Sequence, residues 1–271
     1  MNVTYEYIAN QLCDNSIGTH YKAKPVDYKK ELHRDWAAQW FLDNFGCLAG
    51  IEALDRRGKK QYNLFETHKL QLKDFDPNER HKQEHQIEYA LFGAACDNSQ
   101  YVIPGIGQIL DHQVPFKDEG SVVCGGPIDL MSFEHKTNTL FLLELKKSGK
   151  DWNSLLHCVL EAYTYFKRIK EWKRVKNEFN IPEETKVCIC PLFFRGSNQA
   201  DQLQELTDKL YLLFDRINKD MQTTLHTEEC CLAFAEFNQT HGFSMNNLPR
   251  NLTANVTFFD EIMPKDIANH S

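Results

Sequence analysis

The fold is decided by one stretch of the chain, Pro127-Ile128-Asp129-Leu130-Met131-Ser132-Phe133-Glu134-His135-Lys136-Thr137-Asn138-Thr139-Leu140-Phe141-Leu142-Leu143-Glu144-Leu145-Lys146. Two apolar runs, 128–133 and 140–145, flank a polar segment, and this pattern predicts two antiparallel strands joined by a turn. A symmetric loop between the strands places Asp129 opposite Glu144. Glu144 and Lys146 are two positions apart in one strand, so they share a face. The open end of the predicted hairpin therefore carries Asp129, Glu144 and Lys146 together.

Apart from these charges, both faces of the predicted hairpin are apolar. One face has Met131, Phe133, Leu140 and Leu142, and the other has Ile128, Leu130, Phe141, Leu143 and Leu145. Strands that are apolar on both sides are typical of a sheet covered by helices on both faces. Two carboxylates held together in such surroundings oppose each other's ionisation, and a divalent cation between them removes the conflict. The register therefore predicts a metal site between Asp129 and Glu144.

The segment Pro127-Ile128-Asp129, followed after fourteen residues by Glu144-Leu145-Lys146, resembles the signature of the PD-(D/E)XK nuclease superfamily, which has the restriction-endonuclease-like fold. The resemblance implies that Asp129, Glu144 and the backbone carbonyl of Leu145 bind Mg²⁺ or Mn²⁺. It also implies that Lys146 orients or deprotonates the attacking water, or stabilises the charge gained in the transition state. Ligands that are all oxygen suit these metals better than zinc.

The helix predicted over residues 78–95 has two glutamates on or beside its apolar stripe. The stripe consists of Ile87, Leu91 and Ala94, and Glu88 lies within it. A carboxylate in an apolar stripe needs a partner. In the superfamily that this chain resembles, the helix before the sheet often supplies a further acidic ligand. Glu88 is the candidate and Glu84 its substitute, and the alternative is an exposed glutamate at the edge of the stripe.

The same helix offers a rival motif. The residues His81-Lys82-Gln83-Glu84-His85 have the H-x-x-E-H arrangement of inverted zinc metalloproteases. His81 and His85 would bind zinc, with Glu84 as the general base. Glu161 lies near the sequence position at which that family has its third ligand. This interpretation leaves Asp129, Glu144 and Lys146 without a role, so we rank it second.

A long helix is predicted over residues 152–176, after the Glu144 strand. His157, Glu161, Tyr165 and Arg168 line one of its faces. The superfamily often has Gln-x-x-x-Tyr on this helix, whereas this chain has Glu161-x-x-x-Tyr165. The resemblance makes Tyr165, Glu161 and Arg168 candidate substrate-binding residues. Six of the ten residues 167–176 are basic, which indicates either a phosphate-binding track or a solvated helix end.

Further elements complete the predicted architecture. Helices are expected over 31–48 and 199–220 and strands over 108–116, 186–194 and 230–237, with a loop-rich remainder to residue 271. The order helix, three strands, helix, strand matches the core of the superfamily. The prediction is an α/β fold with a mixed, restriction-endonuclease-like β-sheet sandwiched by helices. Residues 1–77 are predicted to be a mainly helical extension and residues 78–271 the nuclease-like domain.

Composition restricts the class of protein. The 271 residues carry a net charge of −7, which argues against non-specific coating of nucleic acid. No apolar run reaches the length of a membrane span, and the first residues have no signal-peptide pattern. The nine cysteines lack CxxC spacing and predict reduced thiols in a cytoplasmic protein, with Cys188 and Cys190 as small core residues.

The function predicted from the sequence is divalent-metal-dependent hydrolysis of DNA phosphodiester bonds by Asp129, Glu144 and Lys146, and the sequence leaves open whether the substrate is RNA instead. Two alternatives remain open. They are the zinc metalloprotease and a catalytically silent protein of the same fold that only binds its partner.

Overall fold

The computed structural model describes residues 4–13, 30–51, 83–114, 127–149, 154–169, 171–225 and 230–262. Within these residues six strands form one mixed sheet, and eight α-helices accompany it. The strands are β1 (Gln108–Val114), β2 (Ile128–Glu134), β3 (Thr139–Leu145), β4 (Lys186–Phe194), β5 (Cys230–Phe237) and β6 (Ala254–Phe258). The helices are α1 (Tyr5–Cys13), α2 (Glu31–Asp43), α3 (Gly46–Ala49), α4 (Gln83–Asp97), α5 (Leu155–Arg168), α6 (Trp172–Glu178), α7 (Asn198–Gln204) and α8 (Asp208–Thr224). The predicted α/β class is confirmed.

The strands lie in the sheet in the same order as in the chain. Strand β2 is antiparallel to both β1 and β3, strand β4 is parallel to both β3 and β5, and strand β6 is antiparallel to β5. A parallel pair needs a crossover connection, and α5 with α6 provides it between β3 and β4. Helices α7 and α8 provide it between β4 and β5.

The hairpin predicted from residues 127–146 is present with the predicted register. Leu130 pairs with Leu143 and Met131 with Leu142, and the ladder closes at Glu134 and Thr139. The loop between the strands has four residues, 135–138, and Asn138 has a φ of 47°. Asparagine tolerates this left-handed conformation better than most residues, so it suits the end of the turn. Because the loop is symmetric, the register that placed Asp129 opposite Glu144 is retained.

The sheet separates two apolar cores. On one face, Leu140 and Leu142 of β3 belong to a core that includes residues of α2, α5 and α8. On the other face, Phe141 and Leu143 belong to a core that includes α4 and the segment around Phe243. Every residue of β3 is buried, which explains why its sequence shows no alternation of apolar and polar residues.

Two of the predicted helices are interrupted. The helix predicted over 152–176 forms α5 and α6, which are separated after Arg168 because Ile169 adopts an extended conformation (φ −78°, ψ 108°). Trp172 then packs against Phe166, with 5.3 Å between the ring centroids. The helix predicted over 199–220 forms α7 and α8, because the hydroxyl of Thr207 caps a new helix by accepting from the backbone N–H of Leu210. Tertiary packing therefore overrides helix propensity in both places.

The N-terminal helices share the core of the sheet. The helix predicted over 31–48 ends at Asp43 and is followed by the short α3. Phe41 of α2 lies in the same core as the residues of α8, and Asp35 accepts a hydrogen bond of 2.7 Å from Thr207. The boundary between residues 77 and 78 lies outside the described residues, so the division into two parts stays a prediction.

In the later part of the chain one strand was missed and one prediction was wrong. Strand β6 was not predicted, since its five residues, Ala254–Phe258, are short and only partly apolar. Cys188 was expected to be a reduced thiol, but it forms a disulfide with Cys231, its cross-strand neighbour in the β4–β5 register. Both cysteines, like Cys190, lie in the core, as predicted for Cys188 and Cys190. In the part of the chain that the structure describes, no helix has the length and apolar character needed to cross a membrane.

Candidate functional site

The open end of the β2–β3 hairpin holds Asp129 and Glu144. One carboxylate oxygen of Asp129 accepts a hydrogen bond of 2.9 Å from the backbone N–H of Leu145, the residue after Glu144. Asp129 is half-buried and Glu144 is buried. Burial raises the pKa of Asp129 to about 8, although Lys146 opposes the shift. Burial and the charges of Asp129 and Glu161 raise the pKa of Glu144 well above its ordinary value. The two acids therefore oppose each other's ionisation.

Lys146 follows β3 and extends its pairing with β4, because its backbone N–H donates to the carbonyl of Leu192 at 2.9 Å. Its buried amine contacts Oε1 of Glu144 and lies 3.3 Å from Oε2 of Glu161. Burial alone would lower the pKa of Lys146, but Glu144 and Glu161 outweigh it and raise the pKa well above its ordinary value. Lys146 is therefore a cation that neutralises part of the acidic cluster.

Glu161 on α5 is fixed by three neighbours. Its Oε2 contacts Lys146 and lies 3.4 Å from Nε2 of His157, and its Oε1 accepts a hydrogen bond of 3.0 Å from the hydroxyl of Tyr165. His157, Glu161 and Tyr165 are spaced four residues apart and therefore share one helix face. Burial opposes the ionisation of Glu161, but Lys146 and His157 outweigh it and hold its pKa well below the ordinary value. Glu161 is thus the ionised partner of Lys146.

The other two candidate substrate-binding residues are buried. Tyr165 is 2% exposed, and its hydroxyl is directed at Glu161. Arg168 is buried in the last turn of α5, about 10 Å further along the helix axis than Glu161. The structure therefore connects Tyr165 to Lys146 through Glu161. A direct contact of Tyr165, Glu161 or Arg168 with a substrate stays a prediction.

Glu88 is buried, at 1% exposure, on the face of α4 that packs against β1 and β2. Its Oε2 accepts a hydrogen bond of 2.6 Å from the side-chain amide of Gln113. Burial, and then the charge of Asp129, raise the pKa of Glu88 well above its ordinary value. Glu88 is therefore not the exposed glutamate of the alternative interpretation. It lies close enough to Asp129 for their charges to interact.

Glu84, one turn before Glu88, also faces the hairpin. Its Oε1 accepts a hydrogen bond of 3.1 Å from the backbone N–H of Lys147. His85 is exposed, and His81 lies outside the described residues. In the rival zinc motif, Glu84 would serve an ion held by both histidines. Its carboxylate is instead engaged at the end of β3.

The carboxylate oxygens at this site are chemically suited to bind a hard divalent cation. Among the described residues, no hydrogen-bond donor reaches Oε1 of Glu88 or Oε2 of Glu144, although both atoms are buried. Buried carboxylate oxygens without donors are ligands of the kind that Mg²⁺ and Mn²⁺ prefer. Over the same residues, no three His, Cys, Asp or Glu side chains converge closely enough to hold an ion. The amine of Lys146 lies instead against Glu144.

Gln113 was missed by the sequence analysis. It lies in β1 between His112 and Val114, which pair with Leu130 and Ile128, so it is beside Asp129 in the register. Its backbone has a φ of 48°, and its amide donates to Glu88. Glutamine has no special preference for this conformation, so the local sequence does not predict the left-handed backbone of Gln113.

Several basic residues that follow the site are paired within the chain. Lys167 lies 3.0 Å from Asp220, and Lys173 lies 2.9 Å from Glu183. The buried amine of Lys176 donates to the backbone carbonyls of Glu183 and Thr185. These contacts favour the solvated helix end over a phosphate-binding track for this segment.

Comparisons of the chain with protein-family models, with curated proteins and with solved structures find no match.

Proposed function

We propose that this chain is a divalent-metal-dependent nuclease of the restriction-endonuclease-like fold that hydrolyses DNA phosphodiester bonds. The observation that carries the proposal is the cluster of Asp129, Glu144 and Lys146 at the open end of one hairpin. Glu88 lies close enough to this cluster for the charge of Asp129 to raise its pKa. The order α4, β1, β2, β3, α5, β4, with β3 parallel to β4, supports the fold assignment.

The electrostatics of the cluster support a need for a cation. Asp129, Glu144 and Glu88 all have raised pKa values, so each is costly to ionise in the metal-free protein. Lys146 alone does not balance these three acids together with Glu161. A protein that keeps several acids buried beside one lysine gains stability when a divalent cation joins them. Mg²⁺, or Mn²⁺ in its place, would be held by Asp129, Glu144, the carbonyl of Leu145 and Glu88.

In the proposed reaction the metal, when bound, would polarise the phosphate and lower the pKa of the attacking water. The role that best suits Lys146 is charge stabilisation. In the metal-free protein its pKa is raised by Glu144 and Glu161, which favours a protonated amine over a general base. A fixed ammonium group in a buried site stabilises negative charge that develops on the phosphate oxygens in the transition state. Glu161 holds that ammonium group, and Tyr165 and His157 hold Glu161.

The zinc metalloprotease is less well supported. Glu84 accepts a hydrogen bond from the backbone N–H of Lys147, whereas His85 is exposed. The two side chains therefore lie in different environments. We expect protein purified without added zinc to contain less than stoichiometric zinc by elemental analysis. Stoichiometric zinc that disappears in a His81→Ala variant would reverse the ranking.

The decisive assay incubates linear, nicked and branched DNA, and single-stranded RNA, with Mg²⁺ or Mn²⁺. We expect the wild type to cleave DNA and Glu144→Gln to lose on the order of 10² or more of the rate. The matched control is Glu236→Gln, which changes a half-buried carboxylate on β5 that pairs with Arg195. Equal cleavage by the wild type and Glu144→Gln would contradict the proposal. DNA binding without cleavage would instead support a catalytically silent protein.

A further inference from the structure

We propose that Gln113 is a positioning residue that holds the carboxylate of Glu88 in place for a divalent cation. This inference rests on the metal-dependent function proposed above. It is carried by the hydrogen bond between the two side chains, by the burial of Glu88 and by the backbone conformation of Gln113.

The two carboxylate oxygens of Glu88 differ in their hydrogen bonding. The amide of Gln113 donates to Oε2 at 2.6 Å, whereas no donor among the described residues reaches Oε1. Glu88 is 1% exposed, so water does not replace the missing donor at the surface. A buried carboxylate oxygen without a donor is costly unless a cation satisfies it. Fixing Oε2 therefore leaves Oε1 available as a ligand.

The backbone of Gln113 explains how its side chain reaches α4. The preceding residue, His112, packs its ring against Tyr89 and Phe92 of α4, with 4.8 and 4.7 Å between centroids. In a regular strand, successive side chains point to opposite faces, so Gln113 would point away from α4. Its φ of 48° departs from the strand conformation. We attribute the contact with Glu88 to this departure.

A left-handed conformation is unfavourable for a glutamine, and glycine or asparagine would adopt it more easily. Such strain persists where the surrounding structure requires it, and it concentrates at functional sites. The identity of the side chain also matters. A neutral amide orients a carboxylate without cancelling its charge, whereas lysine or arginine would compete with a metal ion. Glutamine at this position therefore suits a residue that positions a metal ligand.

The test measures Mn²⁺ binding to the full chain by titration calorimetry, without DNA. We expect Gln113→Gly to bind Mn²⁺ at least tenfold more weakly than the wild type. The melting temperature of the metal-free variant is measured alongside, because glycine relieves the left-handed strain but leaves Oε2 of Glu88 without its donor. Glu88→Gln should cause a similar loss of affinity, and the double variant should lose little more, because both substitutions remove one interaction.

The matched control is Gln108→Gly, the same substitution at the other end of β1, where the side chain donates to the carbonyl of Ser99. It should leave Mn²⁺ affinity unchanged. If Gln113→Gly lowers the melting temperature and leaves Mn²⁺ affinity intact, Gln113 is only structural and the inference is wrong. If the wild type itself fails to bind Mn²⁺, the proposed function fails with it, so the two failures are distinguishable.

Discussion

The amine of Lys146 lies between two carboxylates, in contact with Glu144 and 3.3 Å from Glu161. Glu161 is held in place by Tyr165 and His157, whereas Oε2 of Glu144 has no donor among the described residues. A cation that binds at Glu144 must therefore compete with Lys146. When a cation binds, Glu161 would remain as a second partner that keeps the amine inside the site.

The first prediction concerns this competition. Lys146→Met should reduce the rate of DNA cleavage by roughly 10² to 10⁴, because charge stabilisation in the transition state is lost. Its Mn²⁺ affinity should be equal to or higher than that of the wild type, because the competing internal cation is gone. Calorimetry and single-turnover kinetics measure the two effects separately. Lys167→Met, which removes a lysine paired with Asp220 at the far end of α5, is the control. A parallel loss of Mn²⁺ affinity and rate in Lys146→Met would contradict this prediction.

The second prediction is that Asp129→Asn abolishes cleavage and stabilises the metal-free protein at pH 8. The asparagine oxygen can still accept from the N–H of Leu145, while the charge that opposes Glu144 and Glu88 is removed. The gain in the free energy of unfolding should be on the order of 1 kcal/mol or more. Urea denaturation with EDTA measures it. A lower stability than the wild type would show that Asp129 is not under electrostatic stress.

The third prediction is the pH dependence of stability. Burial raises the pKa of Asp129 to about 8 and also raises those of Glu144 and Glu88, so the folded state binds protons that the unfolded state has lost. The free energy of unfolding of the metal-free protein should therefore fall from about pH 4 to pH 8, by up to about 1.4 kcal/mol per pH unit for each such proton. The lowered pKa of Glu161 opposes this trend only below about pH 5, and the raised pKa of Lys146 acts in the same direction as those of the acids, above this range.

Urea denaturation of the EDTA-treated wild type across this pH range measures the slope. Asp129→Asn should flatten it. Saturating Mn²⁺ should stabilise the protein more at pH 8 than at pH 5, because the acids must lose their protons to bind a metal. A stability that rises steadily towards pH 8 without metal would contradict the assigned direction.

The fourth prediction separates support of Lys146 from contact with substrate. Tyr165→Phe removes the hydroxyl that donates to Glu161 and leaves the buried ring in place. We expect the cleavage rate at saturating DNA to fall about tenfold, while the Kd for DNA, measured with Ca²⁺ to prevent cleavage, stays within about twofold. A change confined to the Kd would assign Tyr165 a direct contact with substrate.

The sequence predicted correctly those features that depend only on contacts within one helix or one hairpin. The strand boundaries and register of the β2–β3 hairpin follow from two apolar runs and the length of the polar segment between them, so the contact between Asp129 and the backbone beside Glu144 was predictable from the sequence. The stripe position of Glu88 likewise indicated a buried acid. These inferences need only the spacing of residues within one element or one hairpin.

Features that depend on packing between elements were not predictable in the same way. The break after Arg168 lies in a run of good helix formers, and Trp172 packing against Phe166 accompanies it. The pairing of Cys188 with Cys231 requires the parallel register of β4 and β5. The left-handed backbone of Gln113 and the contact of Lys146 with Glu161 require the positions of α4 and α5.

The hydrogen bond between Glu84 and the backbone of Lys147 has a consequence for the order of folding. The β2–β3 hairpin closes through a four-residue turn, so it can form early, whereas Glu84 and Lys147 are 63 positions apart and meet only after a long loop closes. We expect Asp129 and Glu144 to face water and to be ionised in this interval. The docking of α4 and α5 is therefore the stage at which these acids lose their hydration and must take up protons or a cation. Refolding should accordingly be faster in mildly acidic buffer, or with Mn²⁺ present, than in metal-free buffer at pH 8.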